Sequence, residues 1–347
     1  MNETNLDVLI TEVALRDGSH AVNHSFTEDQ VEQVVTVLDE AHVPFIEVSH
    51  GDGLGGSTLQ YGLSKVDEFK LIARAVKTAK FSKIAVLLLP GIGTVHDIRK
   101  AKEAGVSLIR IATHATEADI AQQHIEEAKK LGLITIGFLM MAHMASAEVL
   151  LEQAKKMESY GAEAVYVTDS AGAMLPSEVT EKITLLKANL DCEIGFHAHN
   201  NLGLAIGNTL AAIEAGATRI DGSIRALGAG AGNAQTEVLV AILEKMHIKT
   251  GVDLYKIMDA AEEVVAPLLP KPQEITKGSL ILGYAGVYSS FLLHAQRAAK
   301  KYRVDSRDIL YKLGQLKVVG GQEDMIVDVA KQLVRGGTEI NEPTASK

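Results

Sequence analysis

Short runs of aliphatic and β-branched residues alternate along this chain with longer segments whose apolar residues recur every three or four positions. The short runs predict strands over residues 7–13, 45–49, 83–89, 108–113, 134–140, 164–168, 193–198 and 219–224. The intervening segments, such as 27–41, 116–131 and 146–160, carry the i, i+3, i+4 pattern of helices that bury one face against a sheet. Several open with Ser or Thr followed by acidic residues, which cap and electrostatically favour a helix start. Several close on Gly105, Gly132, Gly161 or Gly216, where the chain turns left-handed at little cost. Eight strand–helix units ending near residue 249 match the count and size of a TIM (β/α)8 barrel. An open doubly wound sheet shares this local grammar, but no early G-x-G-x-x-G opens a first helix.

Beyond residue 250 the pattern changes. PLLPKP at 267–272 reads as a turn or linker, and the segments after it are helical. The expected organisation is a catalytic barrel over 1–265, a small C-terminal helical domain over 266–340 and a disordered tail at 341–347. Apolar residues make up 47% of the chain, aromatics only 4%, and Trp is absent. The core is therefore aliphatic, as in parallel sheets buried on both faces. The net charge of -10 argues against a nucleic-acid partner and against a polybasic membrane contact. Cys192 is the only cysteine, so no intrachain disulfide forms. The N-terminal MNETNLDVLITEV lacks a basic segment followed by an apolar one, and no apolar run is long enough to span a bilayer. A cytoplasmic enzyme is the expectation.

In TIM barrels the chemistry sits where strands end and the following loops begin. Here those ends read ALRDGSH (14–20), SHGDGLGG (49–56), LLLPGIG (87–93), ATHATEA (112–118), MMAHMA (140–145), VTDSAGA (167–173), FHAHNNLG (196–203) and SIRALGAGAGN (223–233). Six of the twelve histidines fall on them: His20, His50, His114, His143, His197 and His199. His197 and His199 are two apart on a strand, so both rings point to one side. That spacing suits a metal site and equally suits a pair of hydrogen-bonded polar residues. Asp17 shifts the balance, because it ends strand 1 and odd-numbered strands feed the same interior layers. Two imidazoles, one carboxylate and open positions suit Mn²⁺, Mg²⁺, Co²⁺ or Zn²⁺, and a substrate chelating through two oxygens favours Mn²⁺ or Mg²⁺. None of the eight ends carries the Lys that imine chemistry needs. Arg16 suits an enolate or carboxylate oxygen, or a structural ion pair. His20 suits a general base, or a solvated loop position. GAGAGN at 228–233 departs from a phosphate loop at Asn233 and reads as well as a tight turn beside the metal.

LRDGSH, EVSHGDGLGG, TDSAGA, GFHAHNNLGLA, GAGAGNA and GYAGVYSSF together resemble the 4-hydroxy-2-oxovalerate aldolases, within a larger metal-dependent family that includes hydroxymethylglutaryl-CoA lyase. The resemblance runs from Asp7 to about Gly321. It implies a divalent metal, usually Mn²⁺, on Asp17, His197 and His199, with the 2-oxo acid bound to it. It implies that His20 takes the proton of the 4-hydroxyl, that the C3–C4 bond breaks to acetaldehyde and a metal-bound pyruvate enolate, and that Arg16 stabilises the enolate. It implies that Ser170 contacts substrate and that Tyr288 reaches over the barrel mouth. An acylating acetaldehyde dehydrogenase is the implied partner, receiving the aldehyde by channelling in the meta-cleavage degradation of aromatic compounds. The rivals are a Claisen-type acyl-CoA enzyme of the same larger family and a non-catalytic scaffold. Against the first stands the apolar LLLPGIG, which suits a short aldehyde. The second has no reason to gather these residues at one rim.

Overall fold

In a computed structural model, residues 6–289 and 291–336 are described. Eight parallel strands close into a barrel in chain order: β1 (Leu9–Glu12), β2 (Phe45–Glu47), β3 (Lys83–Leu88), β4 (Leu108–His114), β5 (Ile134–Met140), β6 (Ala164–Asp169), β7 (Glu193–Ala198) and β8 (Arg219–Gly222). Closure is direct, with Leu9 to Glu12 of β1 in register with Arg219 to Gly222 of β8. Around it run α1 (Glu28–Glu40), α2 (Glu68–Thr78), α3 (Val95–Glu103), α4 (Gln122–Lys130), α5 (Ala147–Ser159), α6 (Pro176–Lys187), α7 (Ala205–Glu214) and α8 (Thr236–Lys245). This is the TIM barrel that the alternation predicts, and its closure excludes the open sheet. α9 (Leu254–Asp259) then continues into a π-helical turn.

Local chemistry explains the boundaries. α1 starts at a capping box in which Thr27 and Gln30 satisfy each other's backbone N–H groups. The stretch expected as one helix over 116–131 is instead a 3-10 turn, Ala118–Ala121, leading into α4, and the Ala118 N–H is taken by the Gln153 side chain. β1 and β8 stop earlier than their apolar runs. There the Glu12 carboxylate accepts from the N–H groups of Ala14 and Ile224 and pairs with the Thr236 hydroxyl, replacing ladder bonds.

Alternation sorts the strand residues into two layers. Outward residues such as Ile46, Leu88 and Ile111 join the core beneath the helices. Inward residues such as Phe45, Leu87, Phe138 and Tyr166 fill the barrel. Each fully buried side chain of this size contributes about 1.5–3 kcal/mol. Gly195 is required in the inner layer, because a methyl group there would overlap the Tyr166 ring.

α10 (Lys277–Ala285), α11 (Phe291–Tyr302), α12 (Ser306–Gln315) and α13 (Met325–Gly336) surround a core of their own that includes Leu282, Phe291, Leu310 and Ile326. This helical region sits on the C-terminal rim of the barrel. His143 Nε2 meets the Gly286 carbonyl at 3.0 Å, and Gln273 donates to the Gly228 carbonyl at 2.9 Å. Gly283 lets α10 approach Leu202 and the Gly172 carbonyl closely. The tail expected over 341–347 lies outside the described residues. No helix among those described is long and apolar enough to cross a membrane.

Asp39 ties the end of α1 to the start of β3: one carboxylate oxygen accepts from the N–H groups of Lys80, Phe81 and Ser82 at 2.9, 2.8 and 2.7 Å. Burial opposes ionisation there, but these three donors outweigh it and hold the carboxyl below its ordinary value. A carboxyl depressed on folding stabilises fully above the ordinary carboxylate range and loses that contribution as pH falls through its folded value. Asp39→Ala is expected to cost about 2–3 kcal/mol in urea denaturation at neutral pH, with the difference from the parent shrinking in acid.

Candidate metal centre

Asp17 opens a 3-10 turn, Asp17–Val22, directly after β1. His197 lies in β7, and His199 follows it one pleat later. All three are buried, and a ligand atom from each lies within 4.8 Å of the others. His199 Nε2 stands 3.8 Å from Asp17 Oδ2.

The remaining nitrogens of both imidazoles are already engaged. His197 Nδ1 lies 2.8 Å from Asp221 Oδ2, and His199 Nδ1 lies 3.4 Å from the Ala229 carbonyl. Both partners only accept, so each Nδ1 donates and each Nε2 of the neutral ring keeps its lone pair. Burial pushes the His199 pKa down to about 4 in spite of Asp17, so that ring is neutral near pH 7. Burial opposes ionisation of Asp17 as well, but His199 and Arg16 outweigh it and hold the carboxyl far below its usual range. One carboxylate and two imidazole lone pairs therefore converge.

Asn233 donates to Asp17 Oδ2 at 2.5 Å and to the Leu227 carbonyl at 2.8 Å, which fixes its amide orientation. Its Oδ1 is left buried without a hydrogen-bond partner. An orphaned carbonyl oxygen beside a carboxylate and two imidazoles fits a cation. The loop 228–233 is the tight turn rather than a phosphate cradle. Gly230 and Gly232 have φ of 65° and 84°, and a methyl group on Gly228 would overlap both Asn233 Nδ2 and Asp17 Oδ2.

Behind Asp17 and His197 runs a continuous chain of buried ion pairs. Arg16 Nη1 reaches Asp17 Oδ1 at 2.9 Å and Arg16 Nε reaches Glu47 Oε2 at 2.7 Å. Arg110 grips Glu47 through Nε and Nη2, each at 2.7 Å, and donates from Nη1 to Asp221 Oδ2 at 2.6 Å. Its guanidinium also lies over the rings of Phe138 and Tyr166, at 4.7 and 5.2 Å from their centroids. Asp221 completes the chain at His197. Glu47, Arg110 and Asp221 are absent from the sequence-based candidates. Their signal is a charged residue inside an otherwise apolar strand.

The other candidates distribute as follows. Arg16 is buried, and its Nη2 has no partner. The His20 ring packs over Gly51, edge-on to His24 at 4.9 Å. Ser170 Oγ accepts from the Met141 N–H at 3.0 Å. Tyr288 follows α10, and burial, together with the carboxylates of Asp52 and Asp17, holds its hydroxyl well above the ordinary value. Its proton is therefore retained, and its hydroxyl is in electrostatic range of Asp17. Of the remaining rim histidines, His50 bonds the Gly62 carbonyl, His114 bonds Thr116 and His143 bonds Gly286, and none of these joins the Asp17 cluster.

Residues 7–264 match the HMGL-like family, and residues 273–335 match the DmpG-like communication domain. A 4-hydroxy-2-oxovalerate aldolase of Geobacillus thermodenitrificans is 69% identical over 327 residues, covering 94% of this chain and 96% of that protein. One from Bacillus thuringiensis is 66% identical over 333 residues, covering 96% of this chain and 98% of that protein. Among solved structures, the HMG-CoA lyase of Bacillus subtilis superposes with a TM-score of 0.66 at 24% identity, covering 76% of this chain and 96% of that one. The carboxyl transferase domain of Rhizobium etli pyruvate carboxylase gives 0.78 at 16% identity, covering 97% and 61%. Both share the fold. The chain belongs to the 4-hydroxy-2-oxovalerate aldolase family, whose members are lyases.

Asp221 orients His197 and balances Arg110 at once. Asp221→Asn is expected to weaken divalent-metal binding about 10–100-fold, as losses behind a ligand do. Calorimetric titration with Mn²⁺ reads this directly, and unchanged affinity would separate Asp221 from the metal centre.

Proposed function

From that membership we propose that the chain cleaves 4-hydroxy-2-oxopentanoate between C3 and C4, giving pyruvate and acetaldehyde, with a divalent cation on Asp17, His197 and His199. The donor set carries this reading: an ionised carboxylate and two imidazoles whose other nitrogens are spoken for. Mn²⁺ is the preferred ion, with Mg²⁺ and Co²⁺ as substitutes. When bound, it supplies Lewis acidity to the 2-keto oxygen, where negative charge develops.

The chain's own groups do the rest. Arg16 donates its unpartnered Nη2 to the developing enolate oxygen, and the ion pairs with Glu47 and Asp17 hold the guanidinium in place for it. His20 accepts the proton of the 4-hydroxyl as the C3–C4 bonding pair moves onto pyruvate, and the enolate is then protonated at C3. Ser170 already accepts a hydrogen bond at its oxygen and has its proton left to donate to substrate. Tyr288, kept protonated, closes the mouth as a donor. Leu87 and Leu89 belong to the inner layer and Leu88 to the outer one, so the first two border the aldehyde end.

The division into a catalytic barrel over 1–265 and a helical domain over 266–340 follows these roles. The helical domain docks an acylating acetaldehyde dehydrogenase, which takes the aldehyde by channelling, in the cytoplasm, during meta-cleavage degradation of aromatic compounds. Supporting this are the communication-domain match over 273–335 and the exposed Tyr284, Leu293 and Tyr311 on the helices.

Incubated with 4-hydroxy-2-oxopentanoate, the protein is expected to release pyruvate, to stop when EDTA is added and to recover with Mn²⁺. Activity that survives chelation overturns the metal role. Asp17→Ala is expected to lose metal, whereas His20→Ala keeps metal and loses at least about 100-fold in kcat, the scale of general-base catalysis. A His20→Ala enzyme as fast as the parent removes His20 from the mechanism. Mixed with an acylating acetaldehyde dehydrogenase, the chain is expected to co-elute on gel filtration, and separate elution would count against the docking.

A further inference from the structure

We propose that His20, His24 and Asp52 form a second, inhibitory cation site at the barrel mouth, suited to Zn²⁺. The three offer ligand atoms within 4.8 Å of one another and share no residue with the Asp17, His197, His199 set.

Asp52 provides the strongest reason. It is only 7% exposed, yet its carboxylate takes no hydrogen bond among the described residues. Its nearest basic group is His50 Nδ1 at 3.6 Å. That nitrogen already accepts from the Asp52 backbone N–H at 3.1 Å, while His50 Nε2 donates to the Gly62 carbonyl at 3.1 Å. His50 is thus a neutral ring that lends the carboxylate no charge. Both carboxylate oxygens therefore keep lone pairs with which to bind a cation.

His24 is held where it can supply that cation with a nitrogen. Asn23 and His24 are consecutive non-glycine residues with φ of 51° and 54°. Such strain persists only where the surroundings enforce it, and it clusters at functional sites. Here the His24 N–H bonds to the Ser19 carbonyl at 2.7 Å and the His24 carbonyl accepts from Lys65 at 3.0 Å. The reversal stacks His24 on His50 at 3.9 Å and brings it edge-on to His20. Its Nδ1 pairs with Ser19 Oγ at 3.0 Å, the kind of contact that orients a metal-binding imidazole.

Two imidazoles and one carboxylate suit tetrahedral zinc, which exceeds Mn²⁺ in affinity for nitrogen ligands. Donors on a tetrahedral ion with ~2.0 Å bonds sit about 3.3 Å apart, so small ring rotations close the set. Inhibition follows because the ion takes the lone pair with which His20 accepts the substrate proton, and this consequence rests on His20 as the base of the cleavage proposed above.

Equilibrium dialysis against Zn²⁺ is expected to give two ions per chain for the wild type, and one each for His24→Gln, Asp52→Asn and Asp17→Ala. With Mn²⁺ in excess to keep the first site loaded, added zinc is expected to inhibit the wild type, and half-inhibition should need at least about tenfold more zinc in His24→Gln and Asp52→Asn. One zinc in the wild type, or two in both His24→Gln and Asp52→Asn, overturns the site. A second ion that is lost in those variants but does not inhibit overturns the inhibitory role and counts against His20 as the base, leaving metal-dependent cleavage at the first centre intact.

Discussion

The arrangement depends on one buried run of alternating charge: Asp17, Arg16, Glu47, Arg110, Asp221 and then His197. It links the turn after β1 to β2, β4, β8 and β7 across the barrel interior, so it exists only once the sheet has closed. Charges this deep repay their desolvation only when every partner is present and well placed. Arg110 shows how narrow the requirement is, with two carboxylates around its edge and the stacked rings of Phe138 and Tyr166 against it. Three carboxylates against two guanidinium groups leave the run one negative charge in excess. That excess ends at Asp17, beside His197 and His199, where a cation would complete it.

Most of the barrel is legible in the sequence because each of its determinants is local. The strand runs, the capping residues and the glycines after helices act within a few residues of themselves, and Gly105, Gly132, Gly161 and Gly216 all adopt the positive φ expected of them. The His197 and His199 pair is legible for the same reason, since a two-residue spacing fixes a common face. Asp17 needs one further step, the rule that barrel chemistry collects at strand ends.

What stays hidden depends on contacts between distant residues. Glu47 and Arg110 are 63 positions apart, and Arg110 and Asp221 are 111 apart. Each announces itself as a charge inside an apolar strand, but nothing local says which charge meets which. His24 and Asp52 are harder still. They lie in loops, where no strand or helix period assigns a face, and the turn that presents His24 is made by non-glycine residues that carry no left-handed signal. The Glu12 carboxylate likewise shortens β1 and β8 through partners that only closure brings within reach.

The same network fixes the side chains of the candidate metal centre before anything binds there. A site that must stabilise charge appearing during a reaction gains most when its dipoles are fixed beforehand. His197 is fixed by Asp221, Asp221 by Arg110, and Arg110 by Glu47, which also fixes Arg16. The group suited to hold the substrate oxygen and the group that orients a ligand are thus tied to one glutamate. Moving either requires breaking a buried ion pair, at a cost of about 3–5 kcal/mol when one partner is removed. The glycine loop at 228–233 then packs its backbone directly against Asp17 and contributes one side chain, Asn233, which donates to Asp17 Oδ2, so the carboxylate is held by the ion-pair run on one oxygen and by this loop on the other.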